Sequence, residues 1–151
     1  MPAVATIRWA ILADREALEA LQRRASMSNP GDREALLLNP DAIDVPREQI
    51  EARQVLVAER AGAIVGFAAA VPRADGDADL DALFVDPTLW RQGVGRTLLE
   101  HASALARDAG AVVLHVVGNP HARDFYLACG FTITGAVHTR FGEALAMERH
   151  L

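Results

Sequence analysis

Residues 85–97 bring together the groups that a bound phosphate needs, at what reads as one strand-to-helix junction. The segment runs Val85-Asp-Pro-Thr-Leu-Trp-Arg-Gln-Gly-Val-Gly-Arg-Thr97. A helix beginning near Gly93 offers unpaired N–H groups and the positive end of its dipole, and both attract anions. Gly93 and Gly95 carry no Cβ, so a ligand can come close to the backbone of Gln92, Val94 and Arg96. Arg91 and Arg96 add fixed positive charge. Two other phosphate loops are excluded. A dinucleotide fingerprint needs a third glycine where this chain has Leu98, and no Gly-Lys-Ser/Thr follows as a P-loop requires. Taken alone, the pattern favours phosphate binding over a simple tight turn without naming the ligand.

A second constellation, Asn119-Pro-His-Ala-Arg-Asp-Phe-Tyr-Leu-Ala-Cys-Gly-Phe131, follows the next apolar run. With both segments in view the chain resembles the GNAT acyltransferase superfamily. The matching residues are Leu80-X-X-Leu83-Phe84-Val85-Asp86-Pro87 with Gly93-X-Gly95, then Asn119-X-X-Ala122-X-X-Phe125-Tyr126-X-X-X-Gly130-Phe131. The resemblance is strong over residues 55–137 and looser on either side. Trp90 departs from it, because the family usually has Arg or Gln three residues before the first loop glycine. The backbone from Gly93 to Arg96 is therefore expected to carry the diphosphate.

The resemblance implies acetyl-CoA as co-substrate, no metal, and transfer of an acetyl group to a primary amine of a small molecule or peptide. It places the pantetheine arm along Leu83, Phe84 and Val85, and the diphosphate on Arg91, Gln92, Gly93, Val94, Gly95 and Arg96, with the Thr97 hydroxyl in reach. Asn119, Phe125 and Tyr126 complete the cofactor side. Direct attack on the thioester needs a base for the ammonium and an acid for the departing thiolate. Tyr126, the one tyrosine in the chain, holds the family's general-acid position. Asp79 aligns with a strand carboxylate that some members use as base, and period-two alternation puts Asp81 on the same face. A water relay is the alternative. A catalytically degenerate domain that binds coenzyme A as a sensor or scaffold is the second functional reading. Dimers are common in this family, which brings a homodimer within expectation.

Composition narrows the classes further. The 151 residues are 51% apolar and 23% charged, with a net charge of −5, which suits one globular domain and disfavours a nucleic-acid binder. One cysteine, Cys129, rules out an intrachain disulfide and reads as a buried structural thiol. No apolar run approaches a membrane span and no signal-peptide pattern opens the chain, so a cytoplasmic setting is expected. His101, His115, His121, His138 and His150 lack the close spacing of a metal pair. His115 reads as a satisfied core residue or a lip of the cleft, and His138 with Glu143 flanks the last turn.

These residues need elements to hold them. Apolar and β-branched runs predict strands at Thr6–Ile11, Val55–Ala58, Ile64–Val71, Asp79–Val85, Val112–Val117, Phe131–Val137 and Ala144–Glu148. Helical spacing predicts Arg15–Arg24 with Asp14 as N-cap, a short piece at Arg33–Leu37, and Arg47–Arg53 opened by Pro46. It also predicts Gly93–Ala109, and a helix from Asn119-Pro120 to Gly130. Strands first and a β-α-β-α unit after them predict an α/β (α+β) domain with a mixed sheet and helices on both faces. The resemblance adds that the sheet is mostly antiparallel and that its parallel strands splay apart. All of 1–151 is expected to form a single domain. Within it, 26–50 walls the acceptor site, with Asp32, Arg33 and Glu34 as a charged cluster, while 80–109 and 112–131 serve the cofactor.

Overall fold

Apolar runs at 55–60 and 63–72 meet at Ala61-Gly62, whose φ values of 53° and 79° give the left-handed turn that a tight antiparallel hairpin needs. The computed structural model describes residues 5–151 and places this hairpin inside a seven-stranded sheet. In chain order the elements are β1 (Thr6–Trp9), α1 (Arg15–Met27), α2 (Pro30–Leu38), α3 (Arg47–Glu51), β2 (Val55–Arg60), β3 (Ala63–Pro72) and β4 (Ala78–Val85). They continue with α4 (Val94–Asp108), β5 (Val113–Gly118), α5 (Arg123–Ala128), β6 (Thr132–Thr139) and β7 (Gly142–His150). Single 3₁₀ turns precede α1, α3 and α5 and sit in the β4–α4 loop.

The strand order is β1-β2-β3-β4-β5-β7-β6, antiparallel everywhere except at β4–β5. That parallel pair is brief. Only Ala78–Leu114 and Asp79–His115 face one another, although β4 runs on to Val85 and β5 to Gly118. Beyond Asp79 the strands diverge, leaving a V that opens toward their C-terminal ends.

Alternation along β2 sends Leu56 and Ala58 to one face and Val55 and Val57 to the other. The first face packs against Leu98, Leu99, Ala102 and Ala106 of α4, together with Tyr126 and Cys129 from α5 and its C-terminus. The second packs against Leu18 and Leu21 of α1 and Ile50 of α3. Helices therefore cover both faces, and the V between β4 and β5 is flanked by α4 and α5 on one side and α1 on the other.

One local expectation is corrected. Asp14 does not cap α1: its carboxylate turns back to accept from the Ile11 N–H at 2.8 Å and from Arg8 at 2.8 and 3.0 Å. Arg8 also donates to Glu59 of β2 at 2.7 Å, so one guanidinium ties the entry to α1 onto the sheet. β4 adds an irregularity that the sequence did not announce. Its register against β3 slips between Ala69 and Ala70, which leaves Asp81 without a partner residue. The bulge resets the alternation: Leu80 and Leu83, three residues apart, both face α4, while Ala82 and Phe84 face α1. Leu80 between them faces α4, so Asp79 and Asp81 both stand on the α1 side of β4, Asp81 beside Gln49 of α3.

Candidate active site

The phosphate loop forms as a structure with free donors. After Val85, Asp86 accepts from the Thr88 N–H and hydroxyl, closing a 3₁₀ turn over Pro87–Leu89. Arg91 and Gly93 then adopt φ of 65° and 88°, and α4 starts at Val94. Left-handed residues of this kind turn backbone N–H groups into anion-binding concavities. The first intrahelical bond into this end runs from the Thr97 N–H to the Gly93 carbonyl. Among the described residues, the N–H groups of Arg91 through Arg96 find no backbone acceptor. A Cβ on Gly93 would meet nothing within 4 Å, so the concave side of the loop is open.

The side chains are less free than the backbone. Arg96 donates to the Ala128 carbonyl at the end of α5 (2.9 Å), Thr97 donates its hydroxyl to Gly93 O (2.9 Å), and Gln92 accepts from Arg60 (3.2 Å). Arg91 is exposed, with no hydrogen bond from its guanidinium among the described residues. Trp90, which breaks the family pattern, donates its indole N–H to Val85 O at 2.9 Å and so clamps the loop onto the end of β4.

The open edge of β4 supplies a second row of groups. The Asp86 N–H bonds to Val65 O of β3 (2.8 Å), and backbone direction alternates along a strand. Leu83 therefore directs its N–H and C=O, and Val85 its N–H, away from β3 into the V, while the Val85 carbonyl on that edge is taken by Trp90 and Phe84 pairs with β3. Of the three residues expected along the pantetheine arm, Leu83 and Val85 offer backbone to the gap and Phe84 does not.

Tyr126 lies across the V, at the end of β5. It is 6% exposed, and its ring is held edge-on between Phe125 and Phe131, with centroids 5.2 Å away on each side. Gly118, which ends β5, makes the approach possible: a Cβ there would sit 3.2 Å from the Tyr126 ring and 3.0 Å from Met147. The hydroxyl has no hydrogen-bond partner among the described residues, and no buried side-chain oxygen lacks one, so it reaches accessible space. Burial raises the pKa of the phenol well above the ordinary value, with a smaller push from Cys129. Phe125, beside it, also contacts Gly95, linking α5 to the phosphate loop.

Asn119 caps the turn before α5, accepting from the Ala122 N–H at 3.0 Å. Its amide nitrogen donates to Asp32 of α2 at 2.8 Å, which sequence reasoning did not foresee. The two candidate bases are separated by their surroundings. Asp79 sits at the closed end of the V, paired with Arg73 at 3.0 Å. Asp81, on the bulge where the V opens, accepts among the described residues only from Gln49 (2.9 Å), beside a cavity of about 80 Å³ lined by Gln22, Asp44, Phe67 and Phe84. His115 proves to be part of the closed end: it bonds Asp77 (3.1 Å), whose carboxylate also accepts from the Val112 and Val113 N–H groups. Asp75, Asp77 and His115 bring ligand atoms within 4.8 Å, which no spacing in the sequence announced, yet these groups are already engaged with one another and with Arg73.

A splayed parallel pair, a donor-lined helix start and a buried tyrosine across the gap define an α/β fold with a cleft between β4 and β5. The profile of the acetyltransferase (GNAT) family matches residues 17–131, and the chain belongs to that family. The peptidyl-lysine N-acetyltransferase YjaB of Salmonella typhimurium is 43% identical over 56 residues, 37% of each chain. An uncharacterized N-acetyltransferase of Mycobacterium tuberculosis is 32% identical over 93 residues, 60% of each chain. The chain thus spans under two thirds of the length of these relatives. The PaiA N-acetyltransferase of Thermoplasma acidophilum, solved with coenzyme A, superposes with a TM-score of 0.79 at 20% identity, covering 98% of this chain and 99% of that one.

Proposed function

We propose that the protein is an acetyl-CoA-dependent N-acetyltransferase that moves an acetyl group to a primary amine by direct attack in a ternary complex. The observation that carries this reading is the V between β4 and β5, with unpaired N–H groups at one end and the Tyr126 hydroxyl opposite. Coenzyme A is a diphosphate joined to an amide-bearing arm that ends in a thiol. The diphosphate suits the N–H groups of Gln92 to Arg96 with the Arg91 guanidinium beside them. The arm's amides suit the strand edge of Leu83 and Val85 as an added strand would.

The amine lone pair attacks the thioester carbonyl, the C–N bond forms, and the C–S bond breaks with its electron pair on sulfur. Tyr126 donates its proton to that thiolate. Burial keeps the phenol protonated, and a thiolate formed in the same dry pocket is disfavoured by the same loss of solvent, which offsets the phenol's raised pKa. The proton lost by the attacking ammonium passes to Asp81 or to water. Asp81 is the better placed of the two carboxylates, because Arg73 engages Asp79 at the closed end.

Thiol release from acetyl-CoA across an amine panel, with mass detection of the acetylated product, tests the reading. All 15 Lys+Arg residues are arginine, so no ε-amine of the chain competes with the acceptor. Turnover with an N-acetylated product is expected. Tight coenzyme A binding without turnover of any amine would replace this reading with that of a sensor or scaffold domain.

A further inference from the structure

Asp32 is out of keeping with the other carboxylates of the chain. Asp14, Asp77 and Glu100 each lie beside an arginine or histidine that holds the carboxyl pKa below the ordinary range, and the Thr88 N–H does the same for Asp86 with Arg24 adding to it. Asp32 is half-buried, and no arginine or histidine lies within 4 Å of it among the described residues. Its Oδ2 accepts from two neutral amides, Asn119 at 2.8 Å and Asn29 at 3.3 Å, while its Oδ1 takes no donor among the described residues. His121 is the one basic group that acts on it, and from beyond contact distance. Burying a carboxylate without a cation is unfavourable, and burial pushes its pKa up.

The position gives this charge a use. Asp32 stands in the first turn of α2, 87 residues from Asn119 in sequence, so their hydrogen bond carries α2 across to the end of β5. Asn119 follows Gly118, against which the Tyr126 ring packs. The Asp32 carboxylate is therefore held beside Asn119 at the β5 end of the V, and Asn119 is the residue after the Gly118 that packs on Tyr126. A single anionic oxygen there lacks only a positively charged donor. Resting on the transferase reading, we propose that Asp32 is a specificity-determining residue that binds a second positive charge on the acceptor, besides the amine that reacts. Dicationic amines fit this site; monoamines of the same length leave it unmet.

Calorimetric titration of the CoA-saturated protein with pentane-1,5-diamine and with pentylamine tests this without requiring turnover. The wild type is expected to bind the diamine at least tenfold more tightly. Asp32→Asn keeps the size and the contact with Asn119 but removes the charge; it should erase that tenfold and change pentylamine binding less than twofold. Asp32→Glu should restore part of it. Equal coenzyme A affinity in all three proteins verifies the fold. Equal binding of the two amines by the wild type, or an equal loss of both in Asp32→Asn, overturns the proposal. The transferase reading fails separately: a diamine bound through Asp32 yet never acetylated removes transfer and leaves the site, whereas acetylation of pentylamine with diamine binding indifferent to Asp32→Asn does the reverse.

Discussion

The Tyr126 hydroxyl contributes little to stability, because it has no protein partner to lose. Its ring does the packing, between Phe125 and Phe131 and over Gly118. Tyr126→Phe is accordingly expected to melt within about 2 °C of the wild type and to keep its coenzyme A affinity, while kcat falls at least tenfold. Steady-state kinetics beside a thermal melt check this; unchanged kcat would take Tyr126 out of the chemistry. Gly93 allows a similar separation. It needs its positive φ and faces open space, so an alanine there strains the backbone by about 1 kcal/mol and aims a methyl group at whatever the loop holds. Gly110 has φ of 99°, also with nothing within 4 Å, but it lies beyond the far end of α4. Gly93→Ala and Gly110→Ala should therefore lose comparable stability, while only Gly93→Ala weakens coenzyme A binding, by tenfold or more in calorimetry. Equal affinities would mean that the ligand does not approach Gly93.

Among the elements, α1 depends on a bond that its own sequence does not reveal. Asp14 holds Arg8 and the Ile11 N–H at the junction of β1 and α1, and Arg8 reaches Glu59 of β2. Asp14→Ala takes away one of the two carboxylates that the Arg8 guanidinium engages and leaves the Ile11 N–H unmet, at a cost of about 2 kcal/mol. Arg8 lowers the folded-state pKa of Asp14, so this contribution is present above the ordinary carboxylate value of about 4 and is lost as pH falls through the lower folded value. Urea unfolding at pH 7 and pH 3 should show the difference between variant and wild type shrinking at the lower pH; a constant difference would assign the loss to packing. Asp14 also marks how far sequence could be read. Each strand and helix was legible from apolar runs, periodicity and punctuation, because Val55–Ala58 is continuously apolar and Leu98–Ala106 recurs with the helical period. Asp14 looked like a cap because caps are local, and its true partner, Arg8, lies on the preceding strand. The bulge at Asp81 was hidden for a like reason: register is set by the facing strand, and β3 supplies the slip. The site divided along the same line. Tyr126 and the glycine loop stood out from neighbouring residues, whereas Asp32–Asn119 spans 87 positions and could be found only in three dimensions.

For the whole molecule, the V is a weak seam. β1–β4 form one half of the sheet and β5–β7 the other, and two residue pairs join them. α4 spans the seam from the loop after β4 to the turn before β5, and Arg149 of β7 adds a pair with Glu100 at 2.9 Å. A ligand lying between Leu83–Val85 on one side and Asn119–Tyr126 on the other would touch both halves and hold them together. Any ligand that binds the folded chain alone stabilises it by about 2.7 kcal/mol at a hundred times its Kd, which for a domain of this size raises Tm by about 5–10 °C. Coenzyme A should reach that shift, because it offers both a diphosphate for the loop and an arm for the strand edge. ATP and NAD offer phosphates alone to the same loop and lack the arm, so at equal concentration they should move Tm by less than about 2 °C. A melt in which ATP matches coenzyme A would mean that the helix start does the binding unaided and that the splayed strands play no part in it.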